Sequence, residues 1–141
     1  MKTDYIADAN VLMSILISGK SQYINTLHFF KFYAPEFAII ELNLYKNVIL
    51  EKTRLEKMQF RDFAYKVFTR VNFIPEFILQ QNSIQQAKEL CKNVDIKDTN
   101  YVALAIDMNL TLLTRDIKLQ KGLNKKKFKD VMLFNDFIYN I

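Results

Sequence analysis

Tyr5-Ile6-Ala7-Asp8-Ala9-Asn10-Val11-Leu12-Met13 is the stretch that decides the fold of this chain. An apolar run ends at Asp8, Asn10 follows, and a second apolar run opens at Val11 and continues through Ile15, Leu16 and Ile17. That pattern reads as a short buried strand running directly into a helix, with Asp8 at the strand's carboxyl edge. Leu110-Thr111-Leu112-Leu113-Thr114 repeats it as a central strand closed by Arg115 and Asp116. Open parallel α/β sheets bind ligands outside the carboxyl ends of their strands, so acids on two such ends can share one cation.

Outward from these two strands, the pattern predicts a strand at 4–7, helices near 9–17 and 20–30, a short strand at 32–34 and one long helix from 36 to about 51. A helix near 57–70, a strand around 71–74, helices at 82–92 and 98–108, the strand at 110–114, and a last strand near 131–133 leading into a short helix complete the chain. Asn109 is the expected left-handed stop of the 98–108 helix. Gly122-Leu123-Asn124, in a lysine-rich stretch, reads as loop. Alternation of this kind argues an α/β fold: one domain over 1–141, with a central parallel sheet of four to five strands flanked by helices on both faces.

Two more acids join Asp8 and Asp116. Asp98 lies in or just before the first turn of its helix, where a plain cap would also place an acid. Glu41 sits inside Phe37-Ala38-Ile39-Ile40-Glu41-Leu42, and a charge among core-seeking residues is costly unless paired or bound to a cation. Taken singly, Asp8 and Asp116 also have a reading as helix caps or turn formers. Together the four point to a hard cation such as Mg²⁺, which takes oxygen ligands and needs only a few carboxylates. With one histidine (His28), one cysteine (Cys91) and no glycine-rich phosphate loop, the chain offers no rival catalytic chemistry.

At 141 residues the chain is long enough for one sizeable core. One cysteine permits no internal disulfide and favours a reducing compartment, with Cys91 as a buried filler at a helix end. No stretch approaches the roughly 20 apolar residues of a membrane span, and Asp8 interrupts any signal-peptide core; a cytoplasmic protein without membrane association is the expectation. The formal charge of +5 favours a polyanionic partner mildly. Its distribution sharpens this, because Lys118, Lys121, Lys125, Lys126, Lys127 and Lys129 follow Asp116 as a candidate nucleic-acid-binding strip, the alternative being a solvated loop. The aromatic residues from His28 to Tyr33, with Phe60, Phe63, Tyr65, Phe68 and Phe73, suit core packing and a dimer surface better than base stacking.

Four segments in order, Ile6-Ala7-Asp8-Ala9-Asn10-Val11-Leu12, Tyr33-Ala34-Pro35-Glu36-Phe37 leading to Glu41, Asp95-Ile96-Lys97-Asp98-Thr99-Asn100-Tyr101-Val102-Ala103-Leu104-Ala105, and Leu113-Thr114-Arg115-Asp116, resemble a PIN domain across nearly the whole chain. The resemblance implies a metal-dependent nuclease using Mg²⁺ or Mn²⁺, with RNA as substrate, many members being toxins of the VapC type paired with an antitoxin protein. It assigns the catalytic and metal-binding acids to Asp8, Glu41, Asp98 and Asp116, with Asp95 auxiliary and Asn10 and Thr114 as polar supports. Ala9 departs from the family's usual hydroxyl residue, which removes a supporting hydrogen bond and leaves the ligands intact. Lys46 resembles a basic residue that some members carry after the glutamate, and is otherwise a solvated lysine. Homodimers are also implied. Two alternatives stand beside this reading: a PIN-like module that binds RNA or protein without cutting, and a phosphoacceptor signalling domain. The second lacks its paired acids after the first strand and an acceptor Asp at a mid-chain strand end.

Overall fold

The computed structural model describes residues 3–141. Five strands, β1 (Asp4–Ala7), β2 (Lys31–Pro35), β3 (Val71–Ile74), β4 (Thr111–Thr114) and β5 (Val131–Leu133), form one sheet in the order β3-β2-β1-β4-β5, every pairing parallel. Helices flank it: α1 (Ala9–Ser18), α2 (Ser21–Phe29), α3 (Phe37–Leu44), α4 (Lys46–Lys52), α5 (Lys57–Phe68), α6 (Gln81–Cys91), α7 (Thr99–Met108), α8 (Ile117–Lys125) and α9 (Phe134–Tyr139). Parallel strands covered by helices lose their solvent face, so they read as unbroken apolar runs. All four residues of β4 are buried accordingly.

Ile6, Phe32, Leu112 and Leu113 form the middle of the core, with Leu12, Ile15, Leu104, Leu119 and Leu123 brought onto them by the helices. The two acids at the strand ends start two of those helices. Asp8 is the N-cap of α1 and accepts from the Val11 amide, while Asp116 is the N-cap of α8 and accepts from the Leu119 amide. Asn109 ends α7 at φ 55, the left-handed stop expected there.

Two expectations are corrected. The long helix from 36 to 51 is two helices, α3 and α4, separated at Tyr45. Neither proline nor glycine marks the break; both halves pack against α1, a tertiary constraint that helix periodicity does not carry. The stretch around Gly122 is helix α8, not loop. Leu119 and Leu123, four apart, bury its inner edge, and Gly122 lets α8 approach Val94, whose Cγ atoms would lie 2.8 Å from an added Cβ. Lys127, beyond the helix, takes the left-handed backbone at φ 69 instead.

Cys91 is buried at the end of α6, and burial pushes its thiol up to about 11, which keeps it an unreactive thiol. Among the described residues, no helix is long and apolar enough to cross a membrane.

Gly19 closes α1 at φ 62, and a Cβ there would meet Leu55 Cγ at 2.7 Å. Gly19→Ala is therefore expected to cost at least about 1–2 kcal/mol from the left-handed backbone alone. Gly19→Asn, tolerant of that backbone, separates the Leu55 clash from the φ effect. Urea denaturation reads both, and an unchanged midpoint for the alanine variant would show that the α1 terminus does not hold this conformation.

Candidate metal centre

From β1 the chain moves outward through β2 to β3 on one side, and β4 and β5 fill the other. The connections diverge between β1 and β4, the position at which doubly wound sheets open a crevice at their carboxyl edge. Ala7 is in register with Leu113, and the Asp8 amide donates to the Leu113 carbonyl at 3.2 Å, so Asp8 stands level with Thr114.

Asp8 is only 2% exposed. Its Oδ1 accepts from the Val11 amide at 2.9 Å, whereas Oδ2 is buried without a hydrogen-bond partner. Burial is the main reason its carboxyl is pushed up to about 6; hydrogen bonding from the Thr114 hydroxyl and the Val11 amide pulls the other way, and the charges of Glu41 and Asp116 add to the rise. The pull from Thr114 does not amount to a bond of ordinary geometry, because Oδ2 still has none. Thr114, fully buried, accepts from the Asp116 amide at 3.1 Å.

Asp98 closes a short 3-10 turn, Ile96–Asp98, and leads into α7 without spending its side chain on a cap. Burial first, then the charges of Asp95, Asp8, Asp116 and Glu41, push its carboxyl up to about 7. Asp95 begins the same turn and accepts from the Lys97 amide at 2.9 Å. One carboxylate oxygen from each of Asp95, Asp98 and Asp116 lies within 4.8 Å of the others. Among the described residues, this trio is the group of acids close enough to share an ion. Asp8 and Glu41 stand outside the trio itself, and their charges act on Asp98.

Glu41, half-buried on α3, accepts a hydrogen bond from the Tyr101 hydroxyl. Tyr101 is 1% exposed, and burial, the Glu41 hydrogen bond and the nearby negative charges all push its phenol upward, so it stays a proton donor. Its role was not read from the sequence. The available signal was its spacing: three residues after Asp98, it shares that residue's side of α7.

A model of the PIN domain matches residues 6–134. The chain belongs to the PIN domain family. No curated protein sequence matches it. Among solved structures, PAE2754 from Pyrobaculum aerophilum is similar, with 18% identity, a TM-score of 0.66, and coverage of 98% of this chain and 88% of that one. VapBC2 from Rickettsia felis, bound to a DNA fragment from their promoter, is similar at 17% identity and a TM-score of 0.63, covering 92% of this chain and 96% of that one.

Asn10, exposed on the first turn of α1, lines an open cleft of about 300 Å³ with Met13, Ser14, Ile17 and Arg115, and Arg115 Nη1 donates to Ser14 Oγ at 2.7 Å. That pair is a second feature missed in the sequence, since 101 positions separate its members. Lys46 is exposed on the first turn of α4.

The lysine strip is not one surface. Lys118, Lys121 and Lys125 lie exposed along α8 and line a shallow depression, and Lys127 is exposed after it. Lys126 instead turns back to α6, where its ammonium donates to the Glu89 and Leu90 carbonyls at 3.1 and 2.9 Å, as a cation satisfying a helix C-terminus does. Lys129 makes a long contact, 3.5 Å, to the Asn124 carbonyl.

The raised carboxyls fix the pH response of the metal-free PIN domain. In the unfolded chain both would titrate near 3.8, against about 6 for Asp8 and about 7 for Asp98 when folded. The folded state then binds more protons in that window, so stability falls as pH rises from about 4 to about 7. Urea midpoints in chelator should be higher near pH 5 than near pH 7.5, and Asp98→Asn should flatten the difference. A midpoint that instead rises over that interval would mean the acids are not crowded together.

Proposed function

We propose that this PIN domain is a divalent-metal-dependent endoribonuclease and the toxin of a toxin–antitoxin pair. The observation that carries the reading is the buried, unpartnered Oδ2 of Asp8 beside the Asp95, Asp98 and Asp116 trio. An orphaned carboxylate oxygen in a buried site costs free energy unless a cation meets it. Oxygen-only donors with partial exposure suit Mg²⁺ or Mn²⁺, which keep several waters.

Asp98 and Asp116 would hold the ion, with Asp95 at its edge and Asp8 on the buried side. A bound cation would supply Lewis-acid offset of the charge that develops on a phosphate during hydrolysis. Glu41, held by Tyr101, is oriented before substrate arrives, which avoids reorganisation during the reaction. The caps on Val11 and Leu119 fix the rotamers of Asp8 and Asp116, and the Thr114 hydroxyl holds the Asp116 amide. Asn10 and Arg115 stand where a phosphodiester strand passes the acids. Each of Asp8 and Asp116 uses Oδ1 for its cap, so a second carboxylate oxygen is left for the ion.

The likeness to a VapBC complex supports the toxin reading and, with it, an antitoxin partner. A homodimer is consistent with Leu44, Tyr45, Val48, Leu50, Met58 and Tyr65, which leave α3, α4 and α5 with large apolar side chains in solvent. Residues 1–141 would act as one domain in the cytoplasm.

Cleavage of a mixed RNA pool with Mn²⁺, Mg²⁺ or EDTA is the deciding assay, and it should proceed with either ion and stop in EDTA. Asp8→Asn, Asp98→Asn and Asp116→Asn should each abolish cleavage. Asparagine caps helices as well as aspartate does, so the fold survives at positions 8 and 116. Mn²⁺ at about 100 times its dissociation constant should stabilise the wild type by roughly 2.7 kcal/mol, and Asp116→Asn should gain less. Metal binding without cleavage of any RNA would favour the non-catalytic module instead. No Mn²⁺ stabilisation at all would dismiss the metal centre.

A further inference from the structure

Resting on the ribonuclease reading, we propose that the cleft between α6 and the start of α3 is a binding track for single-stranded RNA flanking the scissile phosphate, with Lys88, Lys92 and Lys97 taking its phosphates and Phe37 stacking a base. This surface is distinct from the lysine strip of α8.

The cleft, about 680 Å³, is lined by Lys97 and Thr99, the chain neighbours of Asp98 on either side. Lys88 and Lys92 lie four residues apart at the end of α6, and so on one side of it. Lys97 stands in the 3-10 turn between Asp95 and Asp98, so its stem leaves the backbone within one residue of a site acid. All three are exposed, and Glu89 is the one carboxylate beside them in the lining. Lys126, by contrast, has its ammonium engaged by two carbonyls.

Charge alone would fit any polyanion. Phe37 narrows it, because single strands are held by a positive groove that follows the backbone together with aromatic rings on which bases stack. Phe37 is half-buried and its ring meets Tyr101 edge to face, centroids 6.2 Å apart at 61°. Tyr101 in turn donates to Glu41. The stacking platform and a site carboxylate therefore share one rigid mount, which fixes the distance between a stacked base and the acids. Asn100, on the first turn of α7, adds an amide to the same lining. A duplex would hide the base faces that Phe37 needs, which is why the occupant is a single strand.

Steady-state cleavage of an unstructured RNA oligonucleotide tests this. In the triple variant Lys88→Gln, Lys92→Gln, Lys97→Gln, KM should rise at least about tenfold with kcat close to wild type. The log–log salt dependence of binding should flatten by roughly 0.7 per lost contact on a single strand. The Mn²⁺-induced rise in melting temperature should be unchanged, which separates lost RNA contact from a damaged metal centre. Phe37→Leu should weaken binding severalfold with the salt slope intact, since stacking releases no counterions. The matched triple Lys118→Gln, Lys121→Gln, Lys125→Gln should change KM less. Wild-type KM and salt slope in the first triple variant, or a larger loss in the α8 triple, would overturn the proposal. If the wild type neither binds nor cuts RNA, the ribonuclease reading has failed, and that is visible before any variant is made.

Discussion

The Asp8 carboxylate, buried between the carboxyl ends of two adjacent parallel strands, is the constraint that the rest of this structure answers. Burial first, and then the charges of Glu41 and Asp116, raise it, and only 2% of its surface meets solvent. Such an arrangement stands only where fixed dipoles offset it. The chain supplies them by starting three helices there: α1 after Asp8, α7 after Asp98 and α8 after Asp116. Each brings the partial positive charge of its first turn toward the acids. The Val11 and Leu119 amides make that offset concrete as hydrogen bonds.

This explains why a helix-cap reading and a site reading of the same aspartates do not compete. Asp8 and Asp116 do cap their helices, each with Oδ1. A carboxylate has two oxygens, and the second remains available; for Asp8 it is buried and without a partner. Asp98 caps nothing with its side chain, and burial with the neighbouring negative charges pushes its carboxyl up to about 7, against about 6 for the capping Asp8. Where the cap takes part of the charge, the crowd is easier to bear. Where no cap is made, a proton or a cation has to serve.

The strands and most helices were legible because parallel strands and amphipathic helices leave their period in the sequence, and the strand ends of β1 and β4 each carry an acid that a buried run would exclude. The Tyr45 break was not legible, since it depends on how α3 and α4 both meet α1. Helix α8 was misread because Gly122 and a run of lysines imitate loop composition; the burial of Leu119 and Leu123 was the better signal, being spaced four apart. In the site, Asp8, Asp98 and Asp116 could be singled out from position, and Asp95 only through the family resemblance, because its nearness to Asp98 and Asp116 comes from the 3-10 turn that starts at it. Tyr101 and the Arg115–Ser14 pair were hidden for another reason. A contact between distant segments leaves no period to read.

Lys126 shows how far a count of charges can stray from a surface. Six lysines follow Asp116 in the sequence, yet the helical turn sends Lys118, Lys121 and Lys125 to one side, while Lys126 reaches α6 and closes its free carbonyls. That strut joins α8, whose cap is Asp116, to the end of α6, from which the chain proceeds to Asp95 and Asp98. Together with Gly122 against Val94, it ties the helix that follows Asp116 to the segment that leads to the other two acids of the trio. The same residue type at neighbouring positions therefore does different work: Lys125 stays exposed on α8, and Lys126 has its ammonium taken up by two carbonyls of α6.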